Sequence, residues 1–366
     1  MCKKRLLTLF IGLLCSFATS VSFAETEIAE PFQEIQRLQS ETNRDEAIKL
    51  YNLGVEYVKG DHVRKDRQKA NSCFKQAAEM GLPEAQYNLG RAYFDGDGLE
   101  INRKVAISWY KKAAEQGLAQ AQYNLGVIYQ NGLGDEQDFE QSVMWYEKAA
   151  NQGLTLAQYN LGMMYITGQG VRKNPEQGIF WLHKAAKQGY GPAQHNLGTV
   201  YYEGIGVRKN DSVAMMWFRK AAGQGFSMAQ YHLGMAYYQG EGVRKNPREA
   251  VSWLKKSAKQ NLVLAQARLA YILVSDKNFR QDRDEGIFWA KKLAREGYAI
   301  GQASLAMAYQ NGYGVPKNIV YAYALYLKAS EQNSYFAEVG KKLEKRMTSK
   351  EITQAKSVNV VKLFKE

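Results

Sequence analysis

At 366 residues the chain is long enough for two or three globular domains, and its formal charge of +13 points to anionic partners such as nucleic acid, acidic lipid headgroups or acidic polymers. It holds three cysteines, two of them, Cys2 and Cys15, within the first fifteen residues. Once that stretch is removed no intramolecular disulfide can form.

The N-terminus reads as an export signal: Lys3, Lys4 and Arg5, an apolar run from Leu6 to Phe17, then Ser22-Phe23-Ala24 with small residues at the minus-three and minus-one positions. Residues 1–24 are the expected signal peptide. The apolar run is shorter than a membrane span, and no later stretch reaches that length, so the mature chain is expected to lack a transmembrane segment and to be periplasmic or secreted. Loss of Lys3, Lys4 and Arg5 takes the charge from +13 to +10. Export argues against a nucleic-acid partner. Cys73, the remaining thiol, is expected to be a buried small hydrophobe.

Residues 25–45 are polar and acidic, with Phe32, Ile35 and Leu38 at helical spacing after Pro31, and are expected to form a short N-terminal capping helix. From 46 to 333 the chain is periodic. Leu53, Leu89, Leu125, Leu161, Leu197, Leu233, Leu269 and Leu305 each lie 36 residues from the next, and Trp109, Trp145, Trp181, Trp217, Trp253 and Trp289 keep the same interval. Eight units of 36 residues in unbroken register argue for one stacked array in place of separate domains.

The fourth unit shows the pattern. Ala157, Leu161 and Tyr165, then Ile179, Leu182, Ala185 and Ala186, have helical period, which makes each unit a pair of antiparallel helices. Gly168-Gln169-Gly170 supplies the turn between them, and Gly189 ends the second helix. Gly162, inside the first helix, is expected to sit where the neighbouring helix packs. In the seventh unit Asp276-Lys277-Asn278 replaces the glycine pair, and a distorted turn is expected, with Asp or Asn taking left-handed geometry. Residues 334–366 are the expected C-terminal cap, two helices, the second opening on a Thr348-Glu351 capping box.

The succession AQYNLG, Tyr, GxGV, Trp and KAAxQG is similar to the Sel1-like repeat, a relative of the tetratricopeptide repeat. The resemblance implies an all-α fold, a right-handed α/α superhelical solenoid with first helices lining a concave surface. It also implies a non-enzymatic role in binding proteins or serving as an adaptor. Exported bacterial members act in entering host cells, in intracellular trafficking and virulence, or in envelope and polysaccharide assembly. The cysteines of the disulfide-rich branch, linked to β-lactam binding, are missing from this chain.

With the unit matched to a tetratricopeptide repeat through Leu161, Gly162 and Tyr165, the resemblance implies candidate groove positions two residues before, two after and five after the leucine. These hold Tyr51, Tyr87, Tyr123, Tyr159, His195 and Tyr231; then Arg91, Met163, Met235, Tyr271 and Met307; then Phe94, Ile166, Tyr202 and Tyr238. An aromatic ladder on rigid helices suits recognition of a peptide. The same tyrosines suit packing between units, and both readings stand. Arg172, Lys173, Arg208, Lys209, Arg244, Lys245 and Arg280 recur after the turn as a basic edge that an anionic surface would feel, or as a solvated loop edge. The row is interrupted at Asp135-Glu136-Gln137-Asp138. His62, His183, His195 and His232 have neither metal spacing nor a nucleophile motif beside them, so neither catalytic residue, metal nor cofactor is expected. The expectation is a monomer that binds a protein or peptide.

Overall fold

The computed structural model describes residues 25–134 and 136–365; the expected signal peptide and Asp135 lie outside them. Among the described residues the secondary structure is nineteen α-helices and one short 3-10 helix, with no strand and no helix long and apolar enough to cross a membrane. The chain divides into two compact units, one ending at Gln152 and one beginning at Gly153.

In the first unit the helix pairs are Glu25–Lys59 with Arg67–Glu79, Pro83–Asp95 with Arg103–Glu115 and Ala119–Asn131 with Phe139–Asn151. The landmark leucines Leu89 and Leu125 are buried, and Gly126 faces the ring of Tyr146 so closely that an added methyl would lie 2.5 Å from it. The second unit repeats this: Thr155–Thr167 with Pro175–Lys187, Gly191–Glu203 with Asp211–Gly223, and Ser227–Gln239 with Pro247–Lys259. The glycine in the first helix is therefore required for its size, at a cost of about 1 kcal/mol in helix propensity. Ala270 and Ala306 hold the slot in the last two repeats, and both are fully buried.

Short polar residues start the second helices. Asp66, Asn102, Asp138, Asn174, Asn210, Asn246 and Asn318 each accept a hydrogen bond from the backbone N–H three residues on. That satisfies one of the free amides at the helix start. Gly168 and Gly170 have φ of 80° and 66° in the turn that precedes one such start. Cys73 is buried, and burial pushes its thiol pKa up.

Three elements differ from expectation. Residues 25–45 are not a separate helix: Glu25–Lys59 is continuous into the first repeat, since no glycine or proline interrupts Glu41 to Glu46. Leu38 and the landmark Leu53 are exposed on it. The seventh turn is distorted as expected, but not through left-handed geometry. Asp276 is extended (φ −81°, ψ 124°) and its side chain accepts from the Asn278 N–H at 2.9 Å, opening a 3-10 helix, Lys277–Asp282, that buries Phe279. Asn261, at φ 63°, takes the left-handed conformation, in the place that Gly189 and Gly225 fill in earlier repeats. Third, the C-terminal cap has three helices, Ser334–Glu344, Ser349–Ser357 and Val360–Lys365. The second carries the Thr348-Glu351 capping box, and the chain ends against the seventh repeat, where Arg295 Nε donates to the Phe364 carbonyl at 2.5 Å.

Candidate functional site

The predicted groove positions divide into those that hold repeats together and those that remain open. Tyr87 and Tyr123 lie with ring centroids 5.7 Å from Tyr110 and Tyr146 of their own second helices, and Phe94 lies 6.4 Å from Tyr110. Tyr159 packs on Tyr190 at 5.2 Å, and its hydroxyl accepts from Asn196 Nδ2 at 3.2 Å. The same amide lies 3.1 Å from the Met163 sulfur. Tyr202 donates to Glu241 at 2.5 Å, and this bond, with burial, pushes its pKa up to about 12. Tyr238 donates to Asp276 at 3.3 Å. The rings of Tyr87, Phe94 and Tyr123 thus pack within their own repeats, whereas the hydroxyls of Tyr159, Tyr202 and Tyr238 tie one repeat to the next, so truncating Tyr202 or Tyr238 removes a hydrogen bond as well as surface. Arg91 is exposed, 3.8 Å from Asp95, and Met235 is half-buried.

His195 and His232, on adjacent first helices, approach to 5.2 Å between ring centroids. His232 stacks on Phe218 at 4.9 Å, and burial, with the neighbouring His195, holds its pKa down to about 4. His195 is also shifted down by burial; its Nδ1 meets Asn196 Oδ1 at 3.1 Å, while its buried Nε2 has no hydrogen-bond partner among the described residues. No group of three or more His, Cys, Asp or Glu that could hold a metal occurs among the described residues.

An open groove of about 590 Å³ lies in the last repeats. Its walls are the first helices of the seventh and eighth repeats, Val263–Ser275 and Ala299–Asn311, and the cap helix Ser334–Glu344, which begins 35 residues after Ala299 in the place of a further first helix. Tyr231, Tyr271 and Met307, all predicted positions, line it. So do Leu264, Ile300, Arg268 and Tyr335, which the sequence reading missed. Leu264, Tyr271 and Tyr335 are 52%, 44% and 64% exposed, large values for apolar and aromatic side chains set side by side. The one charged lining residue is Arg268.

On the other helices of the pairs, Lys112, Lys148, Lys184, Lys220, Lys256 and Lys292 stand over the rings of the tryptophans three residues before them, at 4.0 to 5.4 Å from the centroids. The basic edge is exposed at Arg172, Lys173, Arg208, Lys209, Arg244, Lys245 and Arg280. Lys209 is engaged, 3.4 Å from Asp211 and 5.0 Å from the Tyr202 ring.

A feature outside all the predictions joins the repeats. Gln86, Gln122, Gln158, Gln194 and Gln230 are buried, and each accepts at Oε1 from the Nε2 of a glutamine 30 residues on, Gln116, Gln152, Gln188, Gln224 and Gln260, at 2.8 to 2.9 Å. Gln86, Gln122, Gln194 and Gln230 donate in turn to the carbonyl eight residues before them. Their own 36-residue interval is the signal that would have found them.

The Sel1 repeat model matches residues 50–82, 83–118, 119–154, 155–190, 191–226, 227–262, 263–298 and 299–334. The chain belongs to the Sel1 repeat family. It is similar to the solved structure of c5321, a protective antigen of uropathogenic Escherichia coli strains with an SLR fold. The two are 32% identical over 87% of this chain and 76% of that one, with a TM-score of 0.61. It is similar too to a Sel1 repeat protein from Oxalobacter formigenes, 30% identical over 84% of this chain and 90% of that one, with a TM-score of 0.63. No curated protein matches the chain. Sel1 repeat proteins are generally scaffolds for protein interaction and typically non-enzymatic.

Proposed function

We propose that the chain is an exported, non-enzymatic Sel1 scaffold that binds a protein or peptide through the first-helix side of its last repeats, in contact between a bacterium and a host cell. The observation that carries this reading is the open groove, where Tyr231, Tyr271 and Met307 meet exposed Leu264 and Tyr335. Apolar and aromatic side chains held on rigid helices give large contact area at low cost in side-chain entropy. The export signal read in residues 1–24 and the similarity to an antigen of a pathogenic strain support the setting. The test is affinity capture with the mature chain from bacterial envelope and host lysates. A partner retained by the wild type and lost with Tyr271→Ala at unchanged melting temperature is the expected result; equal retention by the variant overturns it.

A second reading rests on the basic edge, where Arg172, Lys173, Arg208, Arg244 and Lys245 are exposed in consecutive repeats. On it the chain is a periplasmic adaptor for an envelope polymer or an anionic membrane surface. Sedimentation with peptidoglycan or anionic vesicles at low salt tests it: reversing Arg208, Lys209, Arg244 and Lys245 must abolish binding.

A further inference from the structure

Five repeats place asparagine immediately before the landmark leucine: Asn52, Asn88, Asn124, Asn160 and Asn196. Where the contact is resolved it serves the fold. Asn88 and Asn196 donate to the hydroxyls of Tyr51 and Tyr159, the tyrosines 37 residues earlier. In the seventh repeat the slot is Arg268, and the tyrosine 37 residues earlier is Tyr231. Both line the groove, but among the described residues no hydrogen bond joins them, and Arg268 has no carboxylate at ion-pair distance. The guanidinium is exposed and does not make the tie to Tyr231 that asparagine makes in earlier repeats; its charge is felt by the Tyr238 phenol.

The groove around it holds no carboxylate among its lining residues, while Leu264, Ile300, Tyr271 and Tyr335 present apolar surface. A ligand covering these side chains also removes water from around Arg268. A guanidinium so shielded favours an oxygen anion held by two parallel N–H donors. A single cation set among apolar walls fits a short segment, and not a polyanion, which calls for a run of cations.

We propose that this groove receives an apolar peptide segment carrying one carboxylate, with Leu264, Ile300 and Tyr335 taking its apolar side chains and Arg268 pairing the carboxylate. The inference rests on the peptide-binding reading and specifies its ligand. Charge complementarity sets the acid, and the exposed apolar walls set its neighbours.

The experiment is selection of a displayed random peptide library on the full mature chain, repeated on Arg268→Glu and Leu264→Asp, with melting temperatures confirming that each variant folds. Peptides enriched on the wild type should share large apolar residues with one Asp or Glu at a fixed place, and should bind Arg268→Ala about tenfold or more weakly. Selection on Arg268→Glu should replace that acid with Lys or Arg. If Leu264→Asp is unstable, Tyr335→Ser on the opposite wall takes its place, with the same loss expected. An acid preference that survives Arg268→Glu overturns the proposal. So does full-strength binding to the wall variants, which would leave the chain a peptide binder at another surface. A dimer in sedimentation velocity that Leu264→Asp disperses would assign the groove to a second copy and overturn it too. Failure to enrich any peptide removes this proposal and the peptide-binding reading together.

Discussion

The second to sixth repeats and the last two are built from one pattern but are tied differently. In the former each buried glutamine receives an amide N–H from the glutamine 30 residues on. In the seventh, that later residue is Glu296, whose carboxylate has no N–H to give, and the buried Gln266 Oε1 is left without a donor. In the eighth, Gln332 donates to Gly297 and accepts from Ala299, and Gln302 Oε1 is likewise unpartnered. The same two repeats lose the internal glycine, and the seventh also loses the glycine turn and the side-chain cap of its second helix. The open groove lies in these same two repeats, where the glutamine pair inside the repeat is broken.

The largest effect tests whether the two regions share one core. Trp217 and Trp289 are both buried, at 6% and 8% exposure. Trp217→Ala and Trp289→Ala should each cost about 3 to 5 kcal/mol in chemical denaturation. A much smaller cost for Trp289 would mean that the regions differ in packing as well as in their hydrogen bonds.

The next effect lies at the boundary, where His232 stands in the slot that asparagine fills five times before it. Its folded pKa, held down to about 4 by burial and His195, is below the ordinary value of 6.5, so protonation favours the unfolded chain. Its contribution to stability is complete above pH 6.5 and is lost as pH falls toward about 4, on the order of 3 kcal/mol for a shift of that size. His195, shifted in the same direction, adds to the loss. Denaturant midpoints of the wild type and His232→Gln between pH 7 and pH 4.5 should converge as pH drops. Parallel curves would refute this.

The smallest effect repairs the broken tie. Glu296→Gln should give Gln266 Oε1 its missing donor and raise stability by about 1 kcal/mol. It gives up only an exposed pairing with Lys292 at 4.0 Å, which contributes little. The reverse change in a regular repeat, Gln224→Glu, should lower stability by at least as much, since it strips the donor from buried Gln194. Thermal melts of both variants decide the matter: no difference between them would show that the relay contributes nothing.

The repeat boundaries, the helix pairs and the need for smallness at Gly162 were legible because each depends on one residue type recurring at a fixed interval. The relay was not, because glutamine in a helix reads as solvated surface, and Gln86 becomes buried only when Gln116 of its own second helix and the carbonyl of Ala78 close over it. The groove was half legible. Carrying the tyrosine ladder forward reaches Tyr231, but Ala267 and Ala303 end it. Leu264 and Ile300 stand five residues before the landmark leucine, a position that is apolar at Ile48, Leu156 and Met228 as well but holds Glu84, Gln120 and Pro192 in the other repeats, so the pattern there is broken and does not single out the last two. The N-terminal helix runs on past its expected end because a break in the repeat pattern is not a break in the backbone, and Glu25–Lys59 has no residue that stops a helix there.

The tryptophan beneath each lysine makes the chain its own optical probe. Indoles occur in the second to seventh repeats and nowhere else, since Cys73 and Leu325 occupy the slot in the first and eighth. Fluorescence therefore reports only the interior of the array, whereas ellipticity reports every helix. An end repeat that frays first shifts the ellipticity curve while the emission stays constant, and the separation of the two melting curves reads how far the ends open before the middle yields.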